Sequence, residues 1–310
     1  MTLRAAAVAS ALGCVLAPAA GAATPDSPIR QGDFAGVVGI GHGRTIHIEC
    51  HGRGSPTVIL EAGLRSRSDF WSERTDDTPP GPTVFPGVAE VTRVCAIDRP
   101  GTTLGPTDFS RSSPVAMPRT AADAVADLHA TLEAARIPGP YVLVGHSTGG
   151  LISRLYAAAH PRDVAGMVLV DALSEFLDGP LDAAQLAAYD ELNNGPLEGV
   201  DYPDLEQILF RPSFAEMRRA ERRRPLRDIP LSVISRAVAL ALPAGLPAGL
   251  TTAVVERAWR KAQTRLARLT PRAVHVIAKR SSHYVMFTQP KLIVDQVRRV
   301  VRAVRRSQKP

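Results

Sequence analysis

The sequence predicts an α/β domain built on a mainly parallel β-sheet with helices on both faces. Short apolar strand-like runs alternate along the chain with amphipathic helical patterns, which is the order of a parallel sheet whose strands are joined by helices. Clusters of Gly and Pro separate these runs, as expected for turns. With 310 residues, of which 45% are hydrophobic, the chain can bury one substantial core.

The predicted strands are apolar runs that end at turn signals. For example, residues 51–56, HGRGSP, separate the first two strands, and residues 99–101, RPG, follow the third. The strand-like runs occupy residues 45–49, 57–61, 93–98, 141–144, 164–170, 230–235 and 274–278.

The predicted helices carry apolar residues at helical spacing. In residues 120–135, Val125, Leu128 and Leu132 share one face, and residues 138–140, PGP, end the helix. The other long helical patterns cover residues 149–160, 251–269 and 291–306.

Regular alternation breaks between residues 174 and 228. Short helical pieces are predicted there at residues 183–192, 205–210 and 214–224, with Pro and acidic turns between them. We interpret this stretch as a helical insertion of about fifty residues within one domain.

Residues 1–23 have the layout of a secretory signal peptide. Arg4 precedes an apolar Ala/Val/Leu stretch that is too short to span a membrane stably, and a small-residue cleavage site ends near Ala22. The alternative is a buried N-terminal helix. Lipoprotein acylation at Cys14 is disfavoured, because the apolar run before it is short and no Leu stands three residues upstream. We therefore expect a secreted or periplasmic domain over residues 24–310.

The formal net charge of +7 comes mainly from two arginine-rich patches, residues 218–227 and 298–306. The second patch closes the last helix, where cations are favoured and can simply face solvent. No aromatic interleaving or nucleic-acid-binding motif accompanies either patch. A solvated surface is therefore preferred over a nucleic-acid or anionic-membrane partner, and no segment after the leader is apolar enough to cross a bilayer.

Two cysteines, Cys50 and Cys95, remain once the leader is removed. An exported protein permits disulfides, so the two can form a bridge. Two separate buried thiols are the alternative, and composition alone leaves both open.

Residues 145–149, GHSTG, form a Gly-x-Ser-x-Gly pattern between an apolar strand and a helical pattern. The pattern alone arises often by chance and can be an ordinary glycine-rich turn. In a strand-to-helix turn, however, the serine hydroxyl stands exposed above the sheet, and the glycines relieve close backbone contacts. The helix N-terminus also favours negative charge. We therefore predict Ser147 as a catalytic nucleophile.

A serine hydroxyl needs a base, which this kind of turn expects after the serine in the chain. His146 is expected to point away in a sharp turn, His160 closes the nucleophile helix, and His275 lies inside the last strand. His283 remains, in the loop just after that strand. We predict it as the base, the alternative being a surface loop histidine.

The third member of a triad is a carboxylate that holds the imidazole tautomer. Asp171 ends the strand after the nucleophile and is the preferred candidate. Glu256, well inside a predicted helix, is the alternative acid, and Glu175 is a third candidate.

Two backbone N–H groups are predicted to stabilise the oxyanion. One belongs to Thr148, directly after the nucleophile, and the other to Leu64, in the loop after the strand at residues 57–61. The alternative for the second group is an ordinary strand exit with a turn glycine.

With these motifs the chain resembles α/β-hydrolase-fold proteins over about residues 39–306. The resemblance implies a mostly parallel eight-stranded sheet, no metal or organic cofactor, and a lid between strands six and seven, which residues 174–228 match. It is carried by residues 58–63 (VILEAG), 94–101 (VCAIDRPG), 143–150 (LVGHSTGG), 282–284 (SHY) and 289–290 (QP).

The family resemblance also has implications for the position of the triad acid and for the pairing of the two cysteines. Asp171 falls after strand six, as in members that resemble haloalkane dehalogenases, whereas the commoner pattern has Gly-x-x-Asp after strand seven. Adjacent strands two and four in this family would bring Cys50 near Cys95, which favours a disulfide.

The resemblance implies a secreted serine hydrolase that cleaves carboxylic esters. Serine at the nucleophile position argues against epoxide or dehalogenase chemistry, which needs a carboxylate nucleophile. Amidase, thioesterase and acyltransferase activities share the same site, and a catalytically silent binding protein is a further alternative. Leu, Phe, Tyr and Ile in the insertion suggest an apolar acyl pocket or, equally, the insertion's own packing.

Overall fold

The computed structural model describes residues 32–197, 199–243, 246 and 249–307. An eight-stranded sheet with strand order 1-2-4-3-5-6-7-8 lies at its centre. The first two pairings, β1 with β2 and β2 with β4, are antiparallel, and the other pairings are parallel. The predicted mostly parallel, eight-stranded sheet is therefore confirmed. The strands are β1 (Phe34–Gly39), β2 (Thr45–His51), β3 (Val58–Glu61), β4 (Val94–Ile97), β5 (Tyr141–His146), β6 (Val164–Val170), β7 (Leu231–Arg236) and β8 (Ala273–Ala278).

Helices cover both faces of the sheet and form two apolar cores. On one face, α2, α3 and α6 contribute side chains such as Leu128, Leu151 and Trp259. On the other, α1 and α8 contribute Val88 and Val297. The helices of the described residues are α1 (Val84–Ala89), α2 (Ala121–Ala134), α3 (Thr148–Ala159), α4 (Ala183–Asn194), α5 (Phe210–Arg223), α6 (Thr252–Leu266), α7 (Val285–Thr288) and α8 (Pro290–Ser307).

The central strands are buried on both faces, which explains their continuous apolar sequence. All six residues of β5 are buried. Parallel strands covered by helices on both sides read as uninterrupted apolar runs. Parallel strands also end at one common edge, so the residues that follow β5, β6 and β8 lie near each other. Ser147, Asp171 and the loop that carries His283 stand at this edge.

The insertion between β6 and β7 holds a 3-10 turn (Glu175–Leu177) and the helices α4 and α5. The prediction of a helix at residues 205–210 is wrong. This stretch is extended, because its backbone groups form hydrogen bonds with neighbouring loops instead of with each other. Glu206 N donates to Gly101 O over 2.8 Å, and Arg119 N donates to the carbonyl of residue 207 over 2.8 Å.

The predicted signal peptide at residues 1–23, with Cys14 and the cleavage site near Ala22, lies outside the described residues. Among the described helices, none is both long and apolar enough to cross a bilayer.

Cys50 on β2 and Cys95 on β4 are joined by a disulfide. The two residues are direct partners in the antiparallel register of these strands, and both side chains are fully buried. The adjacency of strands two and four implied by the family resemblance therefore places them together. The bridge closes a sequence separation of 45 residues.

Removing this bridge should destabilise the domain. A Cys50→Ala/Cys95→Ala variant is expected to lose up to about 4 kcal/mol of unfolding free energy, because a cross-link of this loop length restricts the unfolded chain. Urea denaturation of the variant and of the wild type, with and without a reductant, measures the loss. The reduced wild type should lose a similar amount, and a loss below about 1 kcal/mol in both would contradict a stabilising bridge.

Candidate active site

Ser147 occupies a sharp turn between β5 and α3. Its backbone has φ 50° and ψ −123°, a conformation that is strained for a residue other than glycine. Two backbone hydrogen bonds tie the turn to the end of β6 and the residues after it: Ser147 N donates to Val170 O over 3.2 Å, and Leu173 N donates to Ser147 O over 2.8 Å. Both partners flank the end of β6, so the neighbouring strand supports the strained serine.

The glycines of the pattern are required by close backbone contacts, as the sequence predicts. A Cβ atom at Gly145 would lie 2.4 Å from the carbonyl oxygen of Gly149. A Cβ atom at Gly149 would lie 2.3 Å from the carbonyl oxygen of Glu61, at the end of β3. The turn therefore packs directly on the neighbouring strand, which only glycine at these positions permits.

His283 lies between β8 and α7 and contacts Asp171, which directly follows β6. His283 Nδ1 and Asp171 Oδ2 are 2.6 Å apart. The Asp171 side chain is fully buried, and its backbone φ is 42°. The structure thus brings together the histidine and the preferred carboxylate, 112 residues apart in the chain.

Asp171 has further donors around both carboxylate oxygens. Trp259 Nε1 donates to Oδ1 over 2.9 Å, Arg236 N donates to Oδ1 over 3.2 Å, and Arg236 Nη1 donates to Oδ2. Burial raises the pKa of Asp171, but the hydrogen bond and charge of His283, the charge of Arg236 and the Trp259 bond outweigh it and lower this pKa to about 2. Asp171 is therefore ionised at neutral pH.

An ionised Asp171 determines how the imidazole is protonated. A carboxylate accepts hydrogen bonds only, so His283 Nδ1 must carry the proton in this contact. In neutral imidazole, Nε2 then holds the free lone pair. This is the tautomer that a general base for a serine hydroxyl requires.

The other two candidate acids contact arginines instead of His283. Glu256 Oε1 accepts from Arg236 Nη2 over 2.7 Å and from Arg236 Nε over 3.2 Å. Glu175 forms a buried bidentate pair with Arg154, at 2.6 and 2.9 Å. Arg236, the last residue of β7, thus links Glu256 to Asp171, and Glu256 reaches the histidine only through two intervening side chains.

His146 contributes to the site in a way that the sequence analysis missed. It was expected to point away, but its Nε2 lies 3.0 Å from the carbonyl oxygen of His283, and the two rings are 4.5 Å apart between centroids. Burial, followed by the charge of His283, lowers the pKa of His146 well below its usual value. His146 is therefore neutral and donates from Nε2, which ties the His283 loop to the nucleophile turn.

None of the residues that the structure describes forms a hydrogen bond with the Ser147 hydroxyl. The serine is only partly buried, at the common edge of β5 and β6. Contacts between a catalytic serine and its base are often long without substrate and tighten when substrate binds. The side chains that would complete such a contact are Ser147 and His283 Nε2.

The two predicted oxyanion donors lie on segments that meet at Ser147. A Cβ atom at Gly63 would lie 3.4 Å from Ser147 Cβ, so the loop after β3 passes alongside the serine. Thr148 begins α3 directly after it. Within the described chain, neither Leu64 N–H nor Thr148 N–H donates to a protein acceptor. Both groups are free to bind a negatively charged oxygen at the helix N-terminus.

Helix α4 of the insertion lies close to these residues. Its Tyr189 is buried, and burial raises the pKa of the tyrosine to about 12. The nearby charge of Arg236 lowers this pKa, and that of Asp171 raises it. These charges act on Tyr189 only because the insertion folds back toward the acid. Sequence periodicity contains no signal for this proximity.

Among the described residues, one group of possible metal ligands lies at the opposite edge of the sheet. One atom from each of His129, His160 and Asp163 lies within 4.8 Å of the others. The two imidazole rings stack with centroids 3.8 Å apart and planes 19° apart. Nearly parallel rings cannot both direct their in-plane lone pairs at one ion without rotating, so the arrangement does not fit a metal centre.

The sequence of the chain is similar to those of several known proteins. The model of the alpha/beta hydrolase family matches residues 50–296. An uncharacterized protein of Schizosaccharomyces pombe is 32% identical over 145 residues, which are 41% of this chain and 26% of that protein. The pimeloyl-[acyl-carrier protein] methyl ester esterase of Chromobacterium violaceum is 39% identical over 131 residues, 41% of this chain and 46% of the esterase. The chain thus spans less than half the length of these curated relatives.

A solved structure extends the likeness over most of the fold. A candidate lipase of Acinetobacter baumannii superposes with a TM-score of 0.56 at 18% identity, covering 89% of this chain and 93% of the lipase. At this identity the likeness shows the shared fold and no specific activity. The family match covers the elements that carry Ser147, Asp171 and His283. The chain therefore belongs to the alpha/beta hydrolase family.

Proposed function

We propose that the protein is a secreted serine hydrolase that cleaves carboxylic esters. The observation that carries the proposal is the buried, ionised Asp171 bound to His283 Nδ1, with Ser147 in a strained turn at the same sheet edge. Membership of a hydrolase family supports hydrolytic chemistry in general. The methyl ester esterase among the relatives supports esters as the substrate class.

In the proposed mechanism, Ser147 Oγ attacks the ester carbonyl carbon while His283 Nε2 takes the hydroxyl proton. Asp171 stabilises the imidazolium, and the N–H groups of Leu64 and Thr148 bind the oxyanion. The proton passes from His283 to the departing alcohol, which leaves an acyl-enzyme. Water, activated by His283, then releases the acid and restores the serine.

We propose an apolar acyl or alcohol group on the substrate. Aromatic side chains cluster beside His283: the Phe70 ring lies 4.8 Å from that of Phe287 and 5.9 Å from that of Tyr284, between centroids. Tyr284 follows the base in sequence and is 43% exposed. An exposed aromatic surface next to a reacting carbonyl favours an apolar substituent. The insertion, as a lid, would exclude water from the same region.

The alternative of a silent binding protein would be favoured if no carboxylate reached His283. The 2.6 Å contact with Asp171 argues against it. The disulfide between Cys50 and Cys95 supports export to an oxidising compartment, outside the cell or in the periplasm, because such bridges are rare in reducing ones.

Two measurements on the purified protein test the proposal. The first is hydrolysis of p-nitrophenyl esters from acetate to laurate, beside matched anilides and thioesters. The second is labelling with a fluorophosphonate, followed by peptide mass spectrometry. We expect turnover of esters above the other classes and a label on Ser147. Faster cleavage of anilides or thioesters would reassign the substrate class, and a protein that neither turns over nor takes the label would overturn the proposal.

A further inference from the structure

Three buried charged side chains form a network beneath the loop that carries the proposed oxyanion donor Leu64. Glu61 ends β3, Arg99 follows β4, and Glu206 belongs to the insertion, and their exposed fractions are 1%, 4% and 1%. Arg99 Nε and Glu206 Oε1 are 2.6 Å apart, and Arg99 Nη1 and Glu61 Oε2 are 3.1 Å apart. None of the three contacts His283 or Asp171, so the proposed triad does not account for them.

Arg99 holds the loop through two carbonyl groups. Its Nη2 donates to Gly63 O over 2.6 Å, and its Nη1 donates to Ala62 O over 3.0 Å. The carbonyl of Gly63 and the N–H of Leu64 belong to one planar trans peptide and point in opposite directions. Holding Gly63 O toward Arg99 therefore directs Leu64 N–H away from the Arg99 guanidinium, in a loop that passes alongside Ser147.

Glu206 holds the same loop at Arg65, the residue that follows Leu64. Its Oε2 accepts from Arg65 N over 2.6 Å and from Arg99 Nη2 over 3.0 Å. Arg65 has a backbone φ of 64°, a left-handed conformation that is uncommon for a side chain of this size. One carboxylate therefore bonds both to the arginine that orients the peptide before Leu64 and to the N–H group after it.

The insertion is itself anchored at this point. Glu206 N donates to Gly101 O over 2.8 Å, and a Cβ atom at Gly101 would lie 2.3 Å from Asp204 O. The Arg65 side chain also reaches into the insertion, where its Nη2 donates to Gly195 O over 2.6 Å. The loop after β3 and the insertion are thus bonded to each other through both backbone and side chains.

We propose that Glu206 is a positioning residue for acyl transfer, which aims Leu64 N–H at the oxyanion when the insertion is docked. The inference rests on the proposed serine hydrolase function. To the proposed function, the inference adds a role for the insertion: the insertion completes the oxyanion site as well as covering it. Glu206 acts through Arg99 and Arg65 and does not touch the substrate.

The variant Glu206→Gln tests this role. Glutamine has one acceptor oxygen, so it cannot reproduce all three contacts of the Glu206 carboxylate. With that oxygen on Arg65 N and Arg99 Nη2, its NH2 group faces the donor Arg99 Nε, and the negative charge that pairs with Arg99 is lost. We expect kcat for p-nitrophenyl ester hydrolysis to fall about 10- to 100-fold, with KM changed less than about threefold, because an oxyanion contact acts mainly in the transition state.

Glu175→Gln is the matched control. Glu175 is also a buried insertion glutamate paired with a buried arginine, but its bonds are to Arg154 and not to the loop after β3. Both variants lose a buried charge pair, so general destabilisation should affect both. We expect Glu175→Gln to keep kcat within about threefold of the wild type. Equal kcat losses in the two variants would overturn the inference.

Hydrogen–deuterium exchange separates this inference from the proposed function, because it requires no turnover. Amides in a peptide covering residues 62–66 should exchange faster in Glu206→Gln than in the wild type or in Glu175→Gln. A wild type that neither hydrolyses esters nor takes a fluorophosphonate would refute the function, whatever the exchange shows. An active wild type with unchanged kcat and exchange in Glu206→Gln would refute only the positioning role.

Should Glu206→Gln fail to fold, Glu206→Asp replaces it in the same assays. Aspartate keeps the charge but shortens the side chain by one methylene, so it reaches Arg99 and Arg65 N less well. A fall in kcat of about tenfold, with KM nearly unchanged, is expected. A fully active Glu206→Asp variant whose loop exchanges like the wild type's would count against the proposal.

Discussion

Replacing Ser147 by alanine should lower kcat for p-nitrophenyl ester hydrolysis by about 10⁴- to 10⁶-fold. The substitution removes the only atom that could form the acyl-enzyme in the proposed mechanism. Alanine meets nearly the same backbone restriction as serine at φ 50°, so the turn should be preserved. Activity is measured with the ester series, and folding by circular dichroism and urea denaturation.

Ser232→Ala is the control for this variant. Ser232 is a fully buried serine that lies in β7, where its Oγ donates to Gln296 Oε1 over 2.8 Å. It has no contact with the proposed triad, so kcat should stay within about threefold of the wild type. If Ser147→Ala retained wild-type turnover or still took the fluorophosphonate label, the nucleophile would have to be another residue.

Asp171→Asn should have the second largest effect, a fall in kcat of about 10⁴-fold. Asparagine presents an NH2 group as well as an oxygen, so it can hold His283 in the tautomer whose Nε2 carries the proton and cannot act as a base. It also lacks the charge that stabilises the imidazolium. Steady-state kinetics on the most reactive ester give the measured ratio.

Glu256→Gln serves as the comparison, because Glu256 shares Arg236 with Asp171 but does not contact His283. Each variant removes one of the two carboxylate charges that pair with buried Arg236, so the loss of folding stability should be similar in the two variants. We expect Glu256→Gln to lower kcat about tenfold or less, through a shift of Arg236. A loss of kcat with Glu256→Gln as large as that with Asp171→Asn would contradict the assignment of Asp171 as the acid of the triad.

The alternation of strands and helices was readable from the sequence because buried parallel strands produce apolar runs of distinctive length. β6 was predicted with its exact bounds, Val164–Val170. β1 was missed, since Phe34–Gly39 is an edge strand with two glycines and a half-buried pattern. Residues 205–210 were predicted as a helix because local periodicity cannot register hydrogen bonds to distant loops.

The site was predictable to the extent that chemistry and chain order constrain it. Ser147 stands in a turn with a sequence signature, and His283 is the histidine in a loop after the last strand. The sequence favours Asp171 over Glu256 only through its place at the end of a strand. In the structure both carboxylates contact Arg236, and the contact with His283 distinguishes them. The Glu206 contacts join segments 141 residues apart and carry no local signal.

Ser147 and Asp171 both have left-handed backbone conformations, with φ of 50° and 42°, at the ends of adjacent strands. Glycine is the residue that best tolerates this geometry, so the native side chains at both positions oppose folding. The substitutions that would relax the backbone most are also those that would delete the proposed nucleophile or its acid. Stability and activity therefore compete at these two positions, and gains in stability have to come from elsewhere in the sheet.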